Sequence, residues 1–137
     1  MKTKNKVLAY IFRFNENRKE VLVFDHRDDP EVNPQIPAGT VDTGESLAEA
    51  LFREIYEESG LKFDKFDEYI GTFDYIRHDL NELHKRHVFS FVSNHLSANW
   101  EHIVSAGEED KGLIFDYYWM DIKEAKNKLV ASMGEYL

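Results

Sequence analysis

The sequence predicts an α+β fold, an α/β/α sandwich in which a mixed β-sheet lies between helices. Three observations predict it. Apolar and aromatic runs of strand length open and close the chain. A capped amphipathic helix sits between two sets of them, and a second helical start follows the last run, so the order is strands, helix, strands, helix. The 137 residues are 42% hydrophobic and 14% aromatic, enough for a core in a single domain spanning residues 1–137, with an aromatic share that suits strands.

Taken in order, Val7 to Phe14 reads as a strand, Asn15-Glu16-Asn17 as a turn and Glu20 to His26 as the returning strand of a hairpin. Asp28-Asp29-Pro30 and Asn33-Pro34 are turn chemistry, and Gln35 to Gly39 is a short extended piece ending in glycine. Ser46 to Ser59 reads as a helix, because Ser46 and Glu49 have capping-box spacing and Gly60 stands where the helix needs a left-handed residue to stop. Tyr69 to Ile76, Arg86 to Val92 and Ile114 to Met120 read as strands. Asp121, with Glu124 three residues on, starts a helix to about Leu129. Between Asn94 and Gly112 the pattern fails, and the stretch reads as a long surface or binding loop.

Charge and composition exclude several function classes. A net charge of -9 argues against a general grip on nucleic-acid backbone, which needs clustered lysine and arginine, so no stable nucleic-acid complex is expected. The absence of cysteine removes disulfides, thiolate zinc sites and cysteine nucleophiles. The apolar run Val7 to Phe12 is too short to span a membrane and no small-residue cleavage site follows it, so a cytoplasmic protein with no membrane association is the expectation.

The Ser46 to Ser59 helix carries the chemistry. At about 100° per residue, Leu47, Ala48, Leu51 and Ile55 share one arc, Glu54 and Glu57 lie along its edge, and Glu58 projects inside it. A carboxylate on the buried side is costly unless it is paired or coordinates a metal. Glu54 is also an i,i+3 and i,i+4 neighbour of Glu57 and Glu58, and like charges at those spacings destabilise a bare helix. The three carboxylates ask for a cation, and hard oxygen donors point to magnesium or manganese. Arg53 is four residues from Glu49 and from Glu57 and can pair with either. For any single glutamate a solvated helix face is the ordinary reading; for the whole set, with Glu58 on the apolar side, it is not.

Gly39, Glu45, Arg53-Glu54-Ile55, Glu57-Glu58, Gly60 and Leu61 match the Nudix box: glycine, five residues, glutamate, seven residues, Arg-Glu-aliphatic, one residue, Glu-Glu, one residue, Gly-aliphatic. The chain resembles the Nudix hydrolase family, of the small MutT-like type. The resemblance implies Mg2+-dependent (or Mn2+-dependent) hydrolysis of the diphosphate bond in a nucleoside diphosphate linked to another group. That group could be further phosphate, a sugar or a second nucleotide. The alternative is a Nudix-fold module that binds a nucleotide without cutting it. The resemblance places the Gly39 carbonyl and the carboxylates of Glu54, Glu57 and Glu58 as metal ligands, with Glu58 first. Glu54 is a candidate to activate water, Arg53 orients the glutamates, and Glu45 is structural or a water-mediated contact. It also implies a further carboxylate from a distant loop as base or ligand: Glu109 or Glu108, with Glu101 behind them, against the equal reading that Glu108-Glu109-Asp110 is a solvated charge run. Substrate contacts are expected from His26, Arg27 and Arg86, with Arg77 and His87 near strands as well. His84 and His87 fall on opposite strand faces and are not a metal pair. Ala38, Tyr75 and the absence of a proline near Ile76 do not single out one substrate class. Homodimers are common in the family.

Overall fold

The computed structural model describes residues 1–107 and 110–137. Strands β1 (Lys2–Asn15) and β2 (Arg18–His26) form the hairpin, with Phe12 opposite Val21 and Asn15 opposite Arg18. The hairpin pairing then stops, because residues 35–40 enter between the two strands. Phe24 and Gln35 exchange backbone hydrogen bonds, and the Ala9 N–H donates to the Pro37 carbonyl. Strand β3 (Ala38–Thr40) continues along β1 with Leu8 opposite Ala38 and Lys6 opposite Thr40. Proline suits this wedge, since at Pro37 the chain accepts from β1 and needs no donor of its own. The split brings Gly39 to the mouth of the sheet.

Helix α1 (Leu47–Ser59) begins one residue after Ser46, which caps it. The Glu49 N–H donates to Ser46 Oγ at 3.1 Å and the Ser46 N–H donates to Glu49 Oε1 at 3.0 Å, a reciprocal capping box. Gly60 ends it at φ 80°, a conformation glycine adopts without a Cβ clash.

Strand β4 (Glu68–Arg77) pairs antiparallel with β5 (Glu82–Val92), and β5 runs parallel to β1, which makes the sheet mixed. β5 starts at Glu82, four residues before the predicted Arg86. Its first residues, Glu82 to Lys85, are polar apart from Leu83, so no apolar run marks them although His84 is buried. The patternless stretch contains a strand, β6 (Trp100–Ile103). Trp100 and His102 turn inward, Glu101 and Ile103 outward, but four residues are too few for the alternation to stand out. Strand β7 (Ile114–Asp121) and helix α2 (Ile122–Lys128) follow, the helix capped by the Asp121 carboxylate, which accepts from the Lys123 N–H at 2.9 Å. The strand order is β4-β5-β1-β2-β7-β6, with β3 beside β1.

Helices cover both faces. Val7, Ala9 and Ile11 pack with Ala50, Leu51 and Ile55 of α1, while Leu8, Tyr10 and Phe12 pack on the other side with Ala125 and Leu129. Strand β1 is therefore apolar without interruption from Val7 to Phe12, as a strand buried on both faces must be. On α1 the buried face centres on Ala50, Leu51, Ile55 and Glu58; Ala48 lies at its edge, half-buried. Burying leucine and isoleucine side chains this fully contributes about 1.5–3 kcal/mol each, which holds α1 against the sheet. No helix among the described residues is long and apolar enough to cross a membrane.

Candidate functional site

The last turns of α1, the β3 wedge and the near ends of β1, β4 and β5 enclose a polar cleft of about 690 Å³. The helix faces it with Arg53, Glu54, Glu57 and Glu58; the sheet faces it with Lys4, Lys6, Arg77 and His84, and with Glu82, which pairs with Lys4 and His84.

Arg53 organises the acidic side. Its Nε and Nη2 hold the two oxygens of Glu45 at 2.7 and 2.9 Å, Nη2 also donates to the Thr40 carbonyl at 2.9 Å, and Nη1 donates to Glu54 Oε1 at 2.8 Å and to Glu57 at 3.4 Å. The planar guanidinium makes this fan possible; an ammonium has no such fork. The sequence spacing offered Glu49 and Glu57 as partners. Glu49 is instead committed to the capping box, and Glu45, reached through the loop before the helix, takes its place. Glu45 in turn accepts from the Asp42 N–H at 3.0 Å, so this loop is locked to the helix.

Glu58 is 8% exposed, on the apolar side of α1, and Oε1 accepts from the Ala38 N–H at 3.0 Å. Burial raises its pKa well above the usual carboxylate range; the Ala38 bond opposes the rise, and Glu54 and Asp110 add to it. Glu54 is raised to about 7, by burial first, with Arg53 opposing and Glu57 and Asp42 adding to the rise. Gly39 closes on Glu54: a Cβ at this position would sit 2.0 Å from the Glu54 carboxyl carbon, so any other residue would displace that carboxylate. The far end of the turn is held by strands β6 and β7. Tyr117 Oη donates to the Glu58 carbonyl at 2.8 Å, Trp100 Nε1 to the Ser59 carbonyl at 3.0 Å, and His102 Nε2 lies 3.0 Å from the Glu57 carbonyl. These bonds satisfy carbonyls that a helix end leaves open. Sequence reading missed those of Trp100 and His102 because β6 was not visible in it.

The donor chemistry fits a divalent cation. It consists of carboxylate oxygens around a glycine backbone, two of the carboxylates desolvated and in excess over the single arginine beside them. Among the described residues the side chains do not already converge as a set of three or more ligands, since Glu54 and Glu57 turn to Arg53.

The other predicted residues divide. Arg86 and Arg77 line the cleft region. Arg27 does not. It forms a bidentate pair with Asp116 at 2.6 and 3.1 Å and an ion pair with Glu101, at the opposite end of β7 from α2. His26 does not either; its ring packs 4.7 Å from Phe115, and its buried Nε2 has no hydrogen-bond partner among the described residues. His26 ends β2 and Arg27 follows it, and the last residues of β2 follow β7 once the wedge has parted β2 from β1. Glu101, facing Arg27, is likewise away from the cleft. His87 is held by Tyr69 and Asn5, on the face opposite His84. Glu108 and Glu109 lie outside the described residues, while the neighbouring Asp110 lines the cleft. Lys4 and Lys6, unassigned in the sequence reading, enter the site because β1 begins at Lys2 rather than Val7.

The comparisons agree with this geometry. The NUDIX domain family model matches residues 4–137. Over 53 residues, 39% of this chain, the sequence is 42% identical to the RNA pyrophosphohydrolase of Ruthia magnifica subsp. Calyptogena magnifica; the match spans 30% of that relative's length. The NUDIX domain of Shewanella oneidensis NrtR, solved in complex with ADP ribose, aligns with a TM-score of 0.70 at 15% identity, over 98% of this chain and 84% of that one. The MutT protein of Methanosarcina mazei Go1 aligns with a TM-score of 0.68 at 17% identity, over 98% and 89% of the two chains. At such identities the two structures speak for a common fold. With the family model covering nearly its whole length, the chain belongs to the NUDIX domain family.

Proposed function

We propose that this protein is a divalent-metal-dependent pyrophosphohydrolase, which adds water across the diphosphate bond of a nucleoside diphosphate linked to another group. The observation that carries the reading is Glu58. Its carboxylate is buried on an apolar helix face beside two others, at a cleft whose facing wall is basic. A fold has no structural need for that arrangement, and it is costly without a bound cation. The partial match to an RNA pyrophosphohydrolase supports the same class of reaction.

Glu54, Glu57, Glu58 and the Gly39 carbonyl would hold the ion. Bound there, Mg2+ or Mn2+ would neutralise diphosphate charge and make water a better nucleophile. The chain's own residues supply position and proton transfer. Arg53 holds Glu54 through Oε1, which leaves Oε2 to accept a proton from the attacking water. Lys6 and Arg77 on the facing wall attract the phosphates and orient them across the cleft. The rest of the acceleration comes from fixed charges in a narrow polar space.

A panel of nucleoside triphosphates, nucleotide sugars, ADP-ribose and dinucleoside polyphosphates with Mg2+ should show turnover of at least one class. Glu58→Gln should lower kcat on it by about 1,000-fold. Undiminished turnover in that variant removes Glu58 from the mechanism. Tight nucleotide binding without hydrolysis across the panel favours a sensor instead.

A further inference from the structure

The parallel pairing of β1 with β5 sets Lys6 opposite Arg86 and Lys4 opposite His84, all on one face of the sheet. Arg86 is 6% exposed. Its guanidinium lies 3.9 Å from the centre of the Tyr75 ring and donates to the Ala131 carbonyl. Ala131 can offer that carbonyl because the chain turns there with φ 53°, followed by Ser132 at φ 60°. Lys6 donates to Thr40 Oγ1. Among the described residues no carboxylate forms an ion pair with either cation. Burial lowers the pKa of both; Lys4 beside Lys6 adds to the effect, and Glu82 and Glu54 oppose it. Two desolvated cations side by side, neither in an ion pair, carry a desolvation cost of the same kind as the buried glutamates across from them.

Both line a smaller cavity of about 230 Å³. It lies below the usual range for whole organic ligands, about 300–1,000 Å³, and suits a phosphate-sized group. It is continuous with the main cleft, since Lys6, Gly39, Glu58 and Arg77 line both. We infer that Lys6 and Arg86 form a subsite for a terminal phosphate, so that the substrate ends in an oligophosphate, as a nucleoside triphosphate does, and not in a sugar. This rests on the reading that the bond to be cut lies at the glutamates. A phosphate chain can pass from there into the smaller cavity and supply both cations with an anion. The neutral hydroxyls of a sugar would leave them uncompensated, and sites built for a polar partner reject analogues that lack it.

The test compares wild type with Arg86→Met and Lys6→Met. Two readouts are used: kcat/KM on nucleoside triphosphates and on ADP-ribose or a nucleotide sugar with Mg2+, and calorimetric binding of inorganic tripolyphosphate without divalent ions. Wild type should prefer triphosphates by about 100-fold or more. Each variant should lose about 100-fold on triphosphates, mainly through KM, at least about tenfold more than it loses on the sugar compounds, and should bind tripolyphosphate at least about tenfold more weakly. If Arg86→Met does not fold, the half-buried Lys6 carries the test alone. Equal wild-type efficiency on ADP-ribose or a nucleotide sugar overturns the inference, and so does unchanged tripolyphosphate affinity in the folded variants. Tripolyphosphate binding that depends on Lys6 and Arg86, with no hydrolysis of any panel member, supports the phosphate subsite and overturns the hydrolase reading.

Discussion

The two walls of the cleft carry opposite charge and are built by different means. The acidic wall is one turn and a half of a single helix, and Arg53 ties two of its glutamates to Glu45 of the preceding loop while Glu58 is tied to Ala38. The basic wall is assembled from three strands, β1, β4 and β5, and its two most buried cations are held by a hydroxyl, a carbonyl and aromatic rings instead of carboxylates. Charge on the first wall is balanced in part within the wall. On the second, Glu82 pairs with Lys4 and His84 and Asp79 with Arg77, while Lys6 and Arg86 form no ion pair among the described residues. The lesson is that an acidic protein can present a cationic surface to a phosphate compound, provided the basic residues are gathered by strand register.

The sharpest way to break this contrast is to remove the organiser of the acidic wall. Arg53→Lys keeps the charge but cannot hold Glu45, Glu54 and Thr40 at once, so kcat should fall by about 100-fold or more while KM moves little. Steady-state kinetics on the preferred substrate check it, and a lysine variant with wild-type kcat would show that charge alone suffices. A smaller effect is expected at Gly39. Gly39→Ala puts a methyl where the Glu54 carboxylate lies, and Glu54 must rotate away. Activity should drop by about 10- to 100-fold, with a Tm close to wild type because the displaced group is a side chain at a cleft and not backbone in the core.

The two walls were unequally legible. The acidic one stands in the sequence because a helix converts fixed spacing into fixed direction: Ser46 and Glu49 mark where it starts, Gly60 where it stops, and Glu58 among Leu51 and Ile55 marks the buried carboxylate. The basic wall depends on pairing between residues some 80 positions apart, as with Lys6 and Arg86, and no local pattern encodes that register. Arg86 was reachable from its strand; Lys6 was not, because the polar start of β1 gave no strand signal. His26 and Arg27 were placed by following β2 toward the box, which holds only while β2 stays beside β1. The wedge at Gln35 to Thr40 parts them, and a short extended piece ending in glycine does not reveal in sequence that it will insert into a sheet.

A stability measurement separates a buried charge awaiting a ligand from one that holds the fold together. Glu58 is raised by burial, so folding without metal disfavours its ionised form. Below its unfolded value, near 4.5, the group is protonated in both states and costs nothing; as pH rises from there toward its raised folded value, the folded state becomes progressively less favoured. Glu58→Gln keeps the shape and an oxygen for the Ala38 N–H but removes the ionisation. In the presence of a chelator its Tm should therefore exceed that of wild type at pH 8 by about 3–8 °C, and the gap should close as pH falls toward 4.5. Saturating Mg2+ should reverse the order at pH 8, because the ion stabilises only the chain that still carries the carboxylate. A glutamine variant less stable than wild type at every pH, with or without metal, would make Glu58 a structural group, and the asymmetry between the walls would then be one of packing rather than of function.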